Sequence, residues 1–422
     1  MKVAARVLGS WFRLLLLGSS MFGCGARSWR TEPLRSAAPE SESEAAEMLP
    51  ASVELAPGEA WAQASSSPSP ALPTLRIPCC ASQEQSLLAA ARALANEVAG
   101  QRAWEVSDVI ARLRAAGGPF VWPRVWTLQA ASFDAREVQA SLAEWLARAP
   151  PIGQRRCGVA EVVGARGSRT LAAVAVDALA DLDPLPTRVR LGQWLRLRAR
   201  LLVPTRSAET VLLGPRGAPR TIPTELRPDE VRSVFNLDQP GMWRIQLLLG
   251  TEKGPRPVAE AWAFVDEAPN LRAARAPAPG ESLSAPTGPA AARALARTEE
   301  ERPDLLFEML NAARRSEQRM PVRRDQRLDQ LAQAHAEAMQ RAEQTAHDVG
   351  QGLPSERLHR AGIDAALVGE NVAHAASLGR AHRALWDSPA HRGTLLEPGF
   401  AAVGLGVASD DAGVWVCELF AN

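Results

Sequence analysis

Two stretches of the chain are poor in the large apolar side chains that a packed core requires, and they divide the sequence into separate folding segments. Residues 24–75 are rich in Ser, Glu, Pro and Ala, and residues 267–299 are rich in Ala and Pro. Neither stretch can bury enough apolar surface to offset the entropy lost on ordering. We therefore predict a disordered tether over 24–75, a linker over 267–299, and an α+β chain of several domains.

The first 23 residues have the pattern of a bacterial export signal. A basic start leads into an apolar run ending at Phe22, too short for the roughly 20 apolar residues that span a bilayer. Gly23 and Cys24 follow, as in a lipobox. We predict a signal peptide over 1–23 and lipidation of Cys24. The alternative is an ordinary signal peptide with an incidental cysteine.

Charge and targeting together limit the partners and the location. The net charge of the whole chain is +1, which gives no electrostatic indication of a nucleic-acid partner. The signal predicts an exported lipoprotein of the cell envelope that meets the membrane through its lipid anchor only, or else a secreted protein.

The remaining cysteines are few and scattered, so they do not form a disulfide scaffold. An exported protein can nevertheless form a disulfide. We predict a bridge between Cys157 and either Cys79 or Cys80, and a free thiol at Cys417 on the last strand.

The central segment, residues 184–266, has the pattern of short β-strands. Apolar and polar residues alternate over 195–201 and again over 243–247, after turn residues at 239–241. Short strands between Gly/Pro turns favour a small β-sandwich of immunoglobulin-like type. Its predicted role is that of a spacer or interaction module.

The chemically distinctive residues are concentrated near the C-terminus. All six histidines lie between His335 and His391. His347 follows a helix, a Gly-Glu-Asn box stands at 369–371, and a Ser-Pro-x-His-Arg box stands at 388–392.

Two alternating apolar runs, over 400–407 and 414–420, close the chain as a predicted hairpin. The order and spacing of these boxes over about residues 300–422 resemble the bacterial CAP domain, of the cysteine-rich secretory, antigen 5 and pathogenesis-related family. The resemblance implies an α/β/α sandwich with a shallow central cleft.

The resemblance also implies a site. In that family two histidines and one or two acidic residues line the cleft, which by motif are His347, Glu370 and His391, with Asn371 bonding backbone beside them. His347 and His391, with the carboxylate, can hold a divalent cation such as Zn²⁺. Alternatively Glu370 orients one imidazole, or the trio is structural packing. A second acid of the family is missing after Trp386, which weakens the metal hypothesis.

The other candidate polar residues have simpler interpretations. His335 is predicted to be a core residue, and His359, His374 and His382 are predicted to be solvated. Ser388 is predicted to cap a short helix that starts at Pro389, rather than to act as a nucleophile.

The segment 76–183 has two interpretations. It is either an eroded copy of the last domain or an unrelated helical domain. Arg112–Gly117 matches Arg357–Gly362, and Trp145 falls where Trp386 would. The segment contains no histidine, so a cleft within it would be inert.

For the whole chain, the resemblance implies binding of a small lipid, a peptide or a cell-wall ligand in the cleft. The alternative is a hydrolase, metal-assisted or His/Glu-based, for which the sequence offers no evident activated nucleophile. The second alternative is a structural or adhesion protein.

Overall fold

The structure is a computed structural model that describes residues 84–102, 104–164, 167–252, 254–270, 276–284, 302–410 and 413–422. The predicted signal peptide and tether lie outside these residues, as do Cys24, Cys79 and Cys80. None of the helices in the described ranges is long and apolar enough to cross a bilayer.

The first described segment is an antiparallel three-stranded sheet between helices. Its elements are α1 (Gln85–Ala99), α2 (Val106–Ala115), β1 (Arg124–Ala130), α3 (Ala135–Ala147), β2 (Gln154–Val163) and β3 (Arg169–Ala178). The strand order is β1-β3-β2. Side chains alternate between the two faces of a strand, so Val174 of β3 packs with Leu87 of α1, and Ala173 packs with Leu142 of α3.

The cysteines on the described strands differ in state. Cys157 of β2 is buried and disulfide-bonded. Its partner lies outside the described residues, so the pairing with Cys79 or Cys80 stays a prediction. Cys417 is a buried free thiol, as predicted.

The central segment forms two facing sheets. Its strands are β4 (Ala180–Leu182), β5 (Arg188–Val189), β6 (Trp194–Leu201), β7 (Ala208–Leu213), β8 (Arg220–Ile222), β9 (Thr224–Leu226), β10 (Glu230–Asn236), β11 (Gly241–Thr251) and β12 (Gly254–Val265). The sheet orders are β4-β6-β10-β9 and β5-β12-β11-β7-β8. Leu197 and Phe235 of one sheet share a core with Ile245 of the other, which is the layering of a sandwich. The immunoglobulin-like type stays a prediction.

The last segment is a four-stranded sheet with helices on both faces. Its elements are α4 (Arg302–Ser316), β13 (Arg323–Arg324), α5 (Gln326–Ala342), α6 (Pro354–Arg360), β14 (Val368–Ala375), α7 (Leu378–Asp387), α8 (Pro389–Leu396), β15 (Ala402–Asp410) and β16 (Gly413–Ala421). The strand order is β13-β15-β16-β14. Helices α5 and α6 cover the face that carries Cys417, and α4, α7 and α8 cover the face that carries Val416.

Two glycines let α5 lie directly on β15. A Cβ atom at Gly404 would stand 2.0 Å from the Leu328 carbonyl carbon, and one at Gly406 would stand 2.2 Å from the Ala332 oxygen. Backbone contact this close leaves no room for any side chain. The helix start is fixed by the Asp325 amide, which donates to the Val403 carbonyl at 2.9 Å.

The first segment repeats these relationships. Its strand order β1-β3-β2 corresponds to β14-β16-β15 in the last segment. A Cβ atom at Gly158 of β2 would stand 2.1 Å from the Leu88 nitrogen of α1. The Glu84 amide, at the N-cap of α1, donates to the Cys157 carbonyl at 3.1 Å, one residue before that glycine.

Part of the predicted linker, residues 276–284, is packed on the last segment rather than extended. Ala278 is buried in its core. The Pro279 carbonyl accepts a 3.0 Å hydrogen bond from Nε2 of His382 on α7, and Glu281 forms an ion pair with Arg383. Our expectation that His382 is solvated is wrong, since its ring is fully buried against this segment.

Candidate functional site

A buried carboxylate lies at the centre of the predicted site. Glu370 is on β14, and its side chain is 1% exposed. Nδ1 of His347 donates to its Oε1 at 2.9 Å, and the Arg357 guanidinium donates to its Oε2. The Cys417 thiol also donates to Oε2, at 3.4 Å. An ionised carboxylate only accepts hydrogen bonds, so the His347 proton is on Nδ1.

The loop after α5 brings His347 to Glu370. The Asp348 carboxylate accepts hydrogen bonds from the amides of Gly350, at 2.8 Å, and Gly352, at 2.9 Å. Gly352 has φ 82°, a left-handed conformation that glycine adopts without strain. The chain then enters α6 through Pro354, and this short helix places Arg357 beside the carboxylate.

The charge balance around Glu370 favours ionisation. Burial would raise the pKa of this carboxyl, but the hydrogen bond from His347 and the charge of Arg357 outweigh burial, and the net pKa is lowered. Glu370 is therefore an anion whose charge Arg357 already compensates.

His391 is the third residue of the predicted trio. It is on the first turn of α8 and is 8% exposed. Burial, and secondarily the nearby His347, lower its pKa to about 3. His391 is therefore a neutral imidazole at physiological pH, and its sharing of one cleft with His347 and Glu370 stays a prediction.

Asn371 anchors the helix that carries His391. Its Nδ2 donates to the His391 carbonyl at 3.1 Å and to Oε2 of Glu418 at 3.0 Å. This agrees with the predicted backbone bond of Asn371. Glu418 of β16 is fully buried, and burial raises its pKa to about 7.

Three other histidines have the burial that we predicted, whereas Ser388 does not make the predicted contact. His335 is buried, as predicted, but its Nε2 lies 3.8 Å from Oε1 of Glu370, so it also borders the site. His359 and His374 are exposed, as predicted. Ser388 precedes α8 but makes no side-chain cap; its Oγ faces Gln246 of β11 at 3.4–3.5 Å instead.

The donor set does not fit a divalent metal ion. No group of three or more His, Cys, Asp or Glu side chains in the described ranges is arranged to hold one. Both oxygens of Glu370 and the Nδ1 of His347 are already in hydrogen bonds, and the adjacent cation Arg357 would repel a second positive charge. We therefore assign no step to a metal.

Three residues of this neighbourhood were missed from the sequence. Arg357 lies in a motif that we used only to compare segments, although an arginine thirteen positions before the glutamate of a Gly-Glu-Asn box is a natural carboxylate partner. Glu418 has the weak signal of a lone acid within an apolar strand. Trp122, whose ring centroid lies 6.4 Å from that of His391, has no local signal because it belongs to another segment.

The last segment is thus an α/β/α domain with a histidine–glutamate site at one edge of its sheet. Residues 307–419 match the family model described as the Cysteine-rich secretory protein family, CAP. The chain therefore carries a CAP domain at its C-terminus.

Parts of the chain are similar to solved bacterial structures. An outer surface protein from Borrelia burgdorferi is 20% identical over 30% of this chain and 95% of its own, with a TM-score of 0.28. An extracellular protein containing a SCP domain from Bacillus anthracis is 20% identical over 44% of this chain and 66% of its own, with a TM-score of 0.27. A cysteine-rich secretory protein from Staphylococcus aureus is 9% identical over 54% and 76%, with a TM-score of 0.26. No curated protein matches the chain.

Proposed function

We propose that the protein is an exported binding protein whose CAP site recognises a ligand without converting it. The observation that carries this proposal is the state of the three central residues. The negative charge of Glu370 is balanced by Arg357, and its carboxylate accepts a hydrogen bond from His347. His391, with a pKa of about 3, is far too weak a base for catalysis near pH 7, where a general base works best with a pKa near the operating pH.

The candidate nucleophiles support the same conclusion. The Cys417 thiol is fully buried, and burial raises its pKa, so it is a poor source of thiolate. The Ser388 hydroxyl lies beside the Gln246 amide rather than in a hydrogen bond to an imidazole. A neutral imidazole can instead donate or accept a hydrogen bond, which suits recognition of a polar ligand group.

The ligand class that we propose is a small lipid, a peptide or a cell-wall fragment. Isothermal titration of the full mature chain with soluble muropeptides, a tripeptide and a short-chain phospholipid tests it. We expect one probe to bind, and His391→Ala to weaken that binding more than His359→Ala, which alters an exposed histidine. Turnover of the bound probe, lost in His391→Ala, would instead favour the hydrolase.

We further propose that Cys24 is lipidated and anchors the protein to the cell envelope. The apolar run ending at Gly23-Cys24 supports this location. Cys24→Ser should move the protein from the membrane fraction to the soluble fraction. An unlipidated mature N-terminus by mass spectrometry in the unaltered chain would contradict the anchor.

The third proposal is that the segment 76–183, which the structure describes from residue 84, is an eroded CAP-like copy. The shared strand order, the glycine beneath the first helix and the N-cap bond to the preceding strand residue support it. In the copy, α2 ends as α6 does: the amides of Gly117 and Gly362 each donate to the carbonyl three residues earlier, with φ 79° and 64°. An experimental structure in which α1 lies on the opposite face of its sheet would refute the copy.

A further inference from the structure

Gly254, the first residue of β12 in the β-sandwich, lies against His347. A Cβ atom at Gly254 would stand 3.2 Å from both Cβ and Cδ2 of His347. Gly254 also has φ +102°, a conformation that other residues rarely adopt. A glycine at this position allows the backbone of the sandwich to touch the imidazole directly.

The indole of Trp122 stands over the other histidine. Its ring meets that of His391 edge-on, with the planes at 77°. Trp122 has φ 57°, which is rare for a residue with a bulky side chain and persists only where the surroundings enforce it. Its Nε1 donates to the Pro257 carbonyl at 3.2 Å, and the Arg256 guanidinium lies 5.9 Å from the ring centroid.

Polar contacts join the sandwich to the end of α7 and to the start of α8, the helix that carries His391. Arg244 of β11 lies 3.1 Å from the Asp387 carboxylate and donates to the Asp387 carbonyl at 2.6 Å. Oε1 of Gln246 accepts the Ala390 amide at 3.1 Å. That amide is one of the first-turn donors that a helix leaves unpaired, so Gln246 supplies the cap that the Ser388 side chain does not.

From these contacts we propose that Gly254, at the start of β12, and Trp122 form an intramolecular lid, which closes the CAP site until the sandwich separates from the junction of α7 and α8. Arg244 and Gln246 are its latch. Contacts between domains within a chain resemble transient interfaces when they are largely polar, so a latch of this kind can open without unfolding either domain. A ligand then binds only the open fraction, and its apparent affinity is reduced by that fraction.

Access to the histidines can be measured without a ligand. Diethyl pyrocarbonate modifies neutral imidazoles, and His391, with a pKa of about 3, is neutral near pH 7, so a change in its modification rate between variants reports a change in access. In the full mature chain, peptide mass spectrometry should show His391 reacting at least about tenfold more slowly than the exposed His359, as expected when reaction requires a minor open form.

Two variants open the lid by different routes. Arg244→Ala with Gln246→Ala removes the latch, and Trp122→Gly removes the indole and relieves its backbone. Each should speed modification of His391 about tenfold or more, as the open population rises. His335, fully buried in the CAP core, must stay protected, which excludes unfolding.

Three results would overturn the lid. They are equal rates at His391 and His359 in the unaltered chain, an unchanged His391 rate in both variants, and loss of His335 protection whenever His391 reacts. The lid depends on the proposed function only for its role, which is to control access of a ligand to the CAP site. Faster modification of His391 in a chain that binds none of the probes would refute the binding proposal and leave the lid intact.

Discussion

Arg357 donates a hydrogen bond to Oε2 of Glu370, and both side chains are at least 95% removed from solvent, at 5% and 1% exposure. The pair joins α6 to β14 across the edge of the CAP sheet. Arg357 stabilises the buried Glu370 anion, and the hydrogen bond to that anion orients the His347 ring. The pair therefore affects both the stability of this edge of the domain and the orientation of His347.

Replacing Arg357 with leucine should therefore cost about 3 kcal/mol or more of the free energy of unfolding, because it leaves the buried Glu370 anion without its cationic partner. Arg357→Leu with Glu370→Gln should recover most of the loss. Arg341→Leu, in a pair whose members are 67% and 46% exposed, is the control and should cost no more than about 1 kcal/mol. Urea unfolding measures all of them. A loss as small as in the control would contradict the buried pair.

Glu418 should make the protein less stable as the pH rises. Burial raises its folded-state pKa from 4.5 to about 7, so the folded chain binds the extra proton. The stability from this group is full below about pH 4.5 and is lost as pH rises through about 7. Glu418→Gln should gain about 2–3 kcal/mol relative to the unaltered chain on going from pH 4 to pH 8. A pH-independent difference between the two proteins would refute the raised pKa.

His391 has the opposite effect. Burial lowers its pKa from 6.5 to about 3, so the unfolded chain binds the proton first as the pH falls. The stability from the neutral ring is present above about pH 6.5 and declines toward pH 3, by at most about 1.4 kcal/mol per pH unit. His391→Gln should flatten the acid limb of a plot of unfolding free energy against pH. His359→Gln controls for generic loss of a histidine, and an equal effect of both would count against the buried ring.

The two strand glycines should tolerate no side chain. Gly404→Ala and Gly158→Ala each place a methyl group within about 2 Å of helix backbone, so both should be strongly destabilising, by about 3 kcal/mol or more. Gly393→Ala in α8 meets nothing within 4 Å and should instead stabilise by about 0.5–1 kcal/mol. Thermal unfolding of the three variants checks this. A mild effect at Gly158 alone would weaken the comparison of the two segments.

The sequence was most informative where a motif itself contains the polar residue. The Gly-Glu-Asn and Ser-Pro-x-His-Arg boxes pointed to Glu370, Asn371 and His391, and the family resemblance added His347; the structure joins His347 to Glu370 and Asn371 to His391 by hydrogen bonds. Helix periodicity also identified the burial of His335. These are short-range consequences of spacing on helices and strands.

His382 shows where the interpretation was incomplete. Leu378, Ala381, His382 and Leu385 recur at the spacing of one helical face, a signal of burial that our prediction of a solvated His382 did not use. The partner that satisfies the ring is a carbonyl from the predicted linker. The contacts of Trp122 and Gln246 with α8 could not be predicted either, because residues so distant in sequence meet only through the packing of domains.

Residues 276–284 affect where a recombinant fragment that contains the CAP domain should begin. A fragment that begins at residue 307, where the family match starts, would omit Ala278, Pro279 and Glu281. His382 would then lose its carbonyl acceptor, and Arg383 would lose its carboxylate. A fragment that begins at residue 276 would retain both. The contacts that the CAP domain needs therefore extend to residues before the start of the family match.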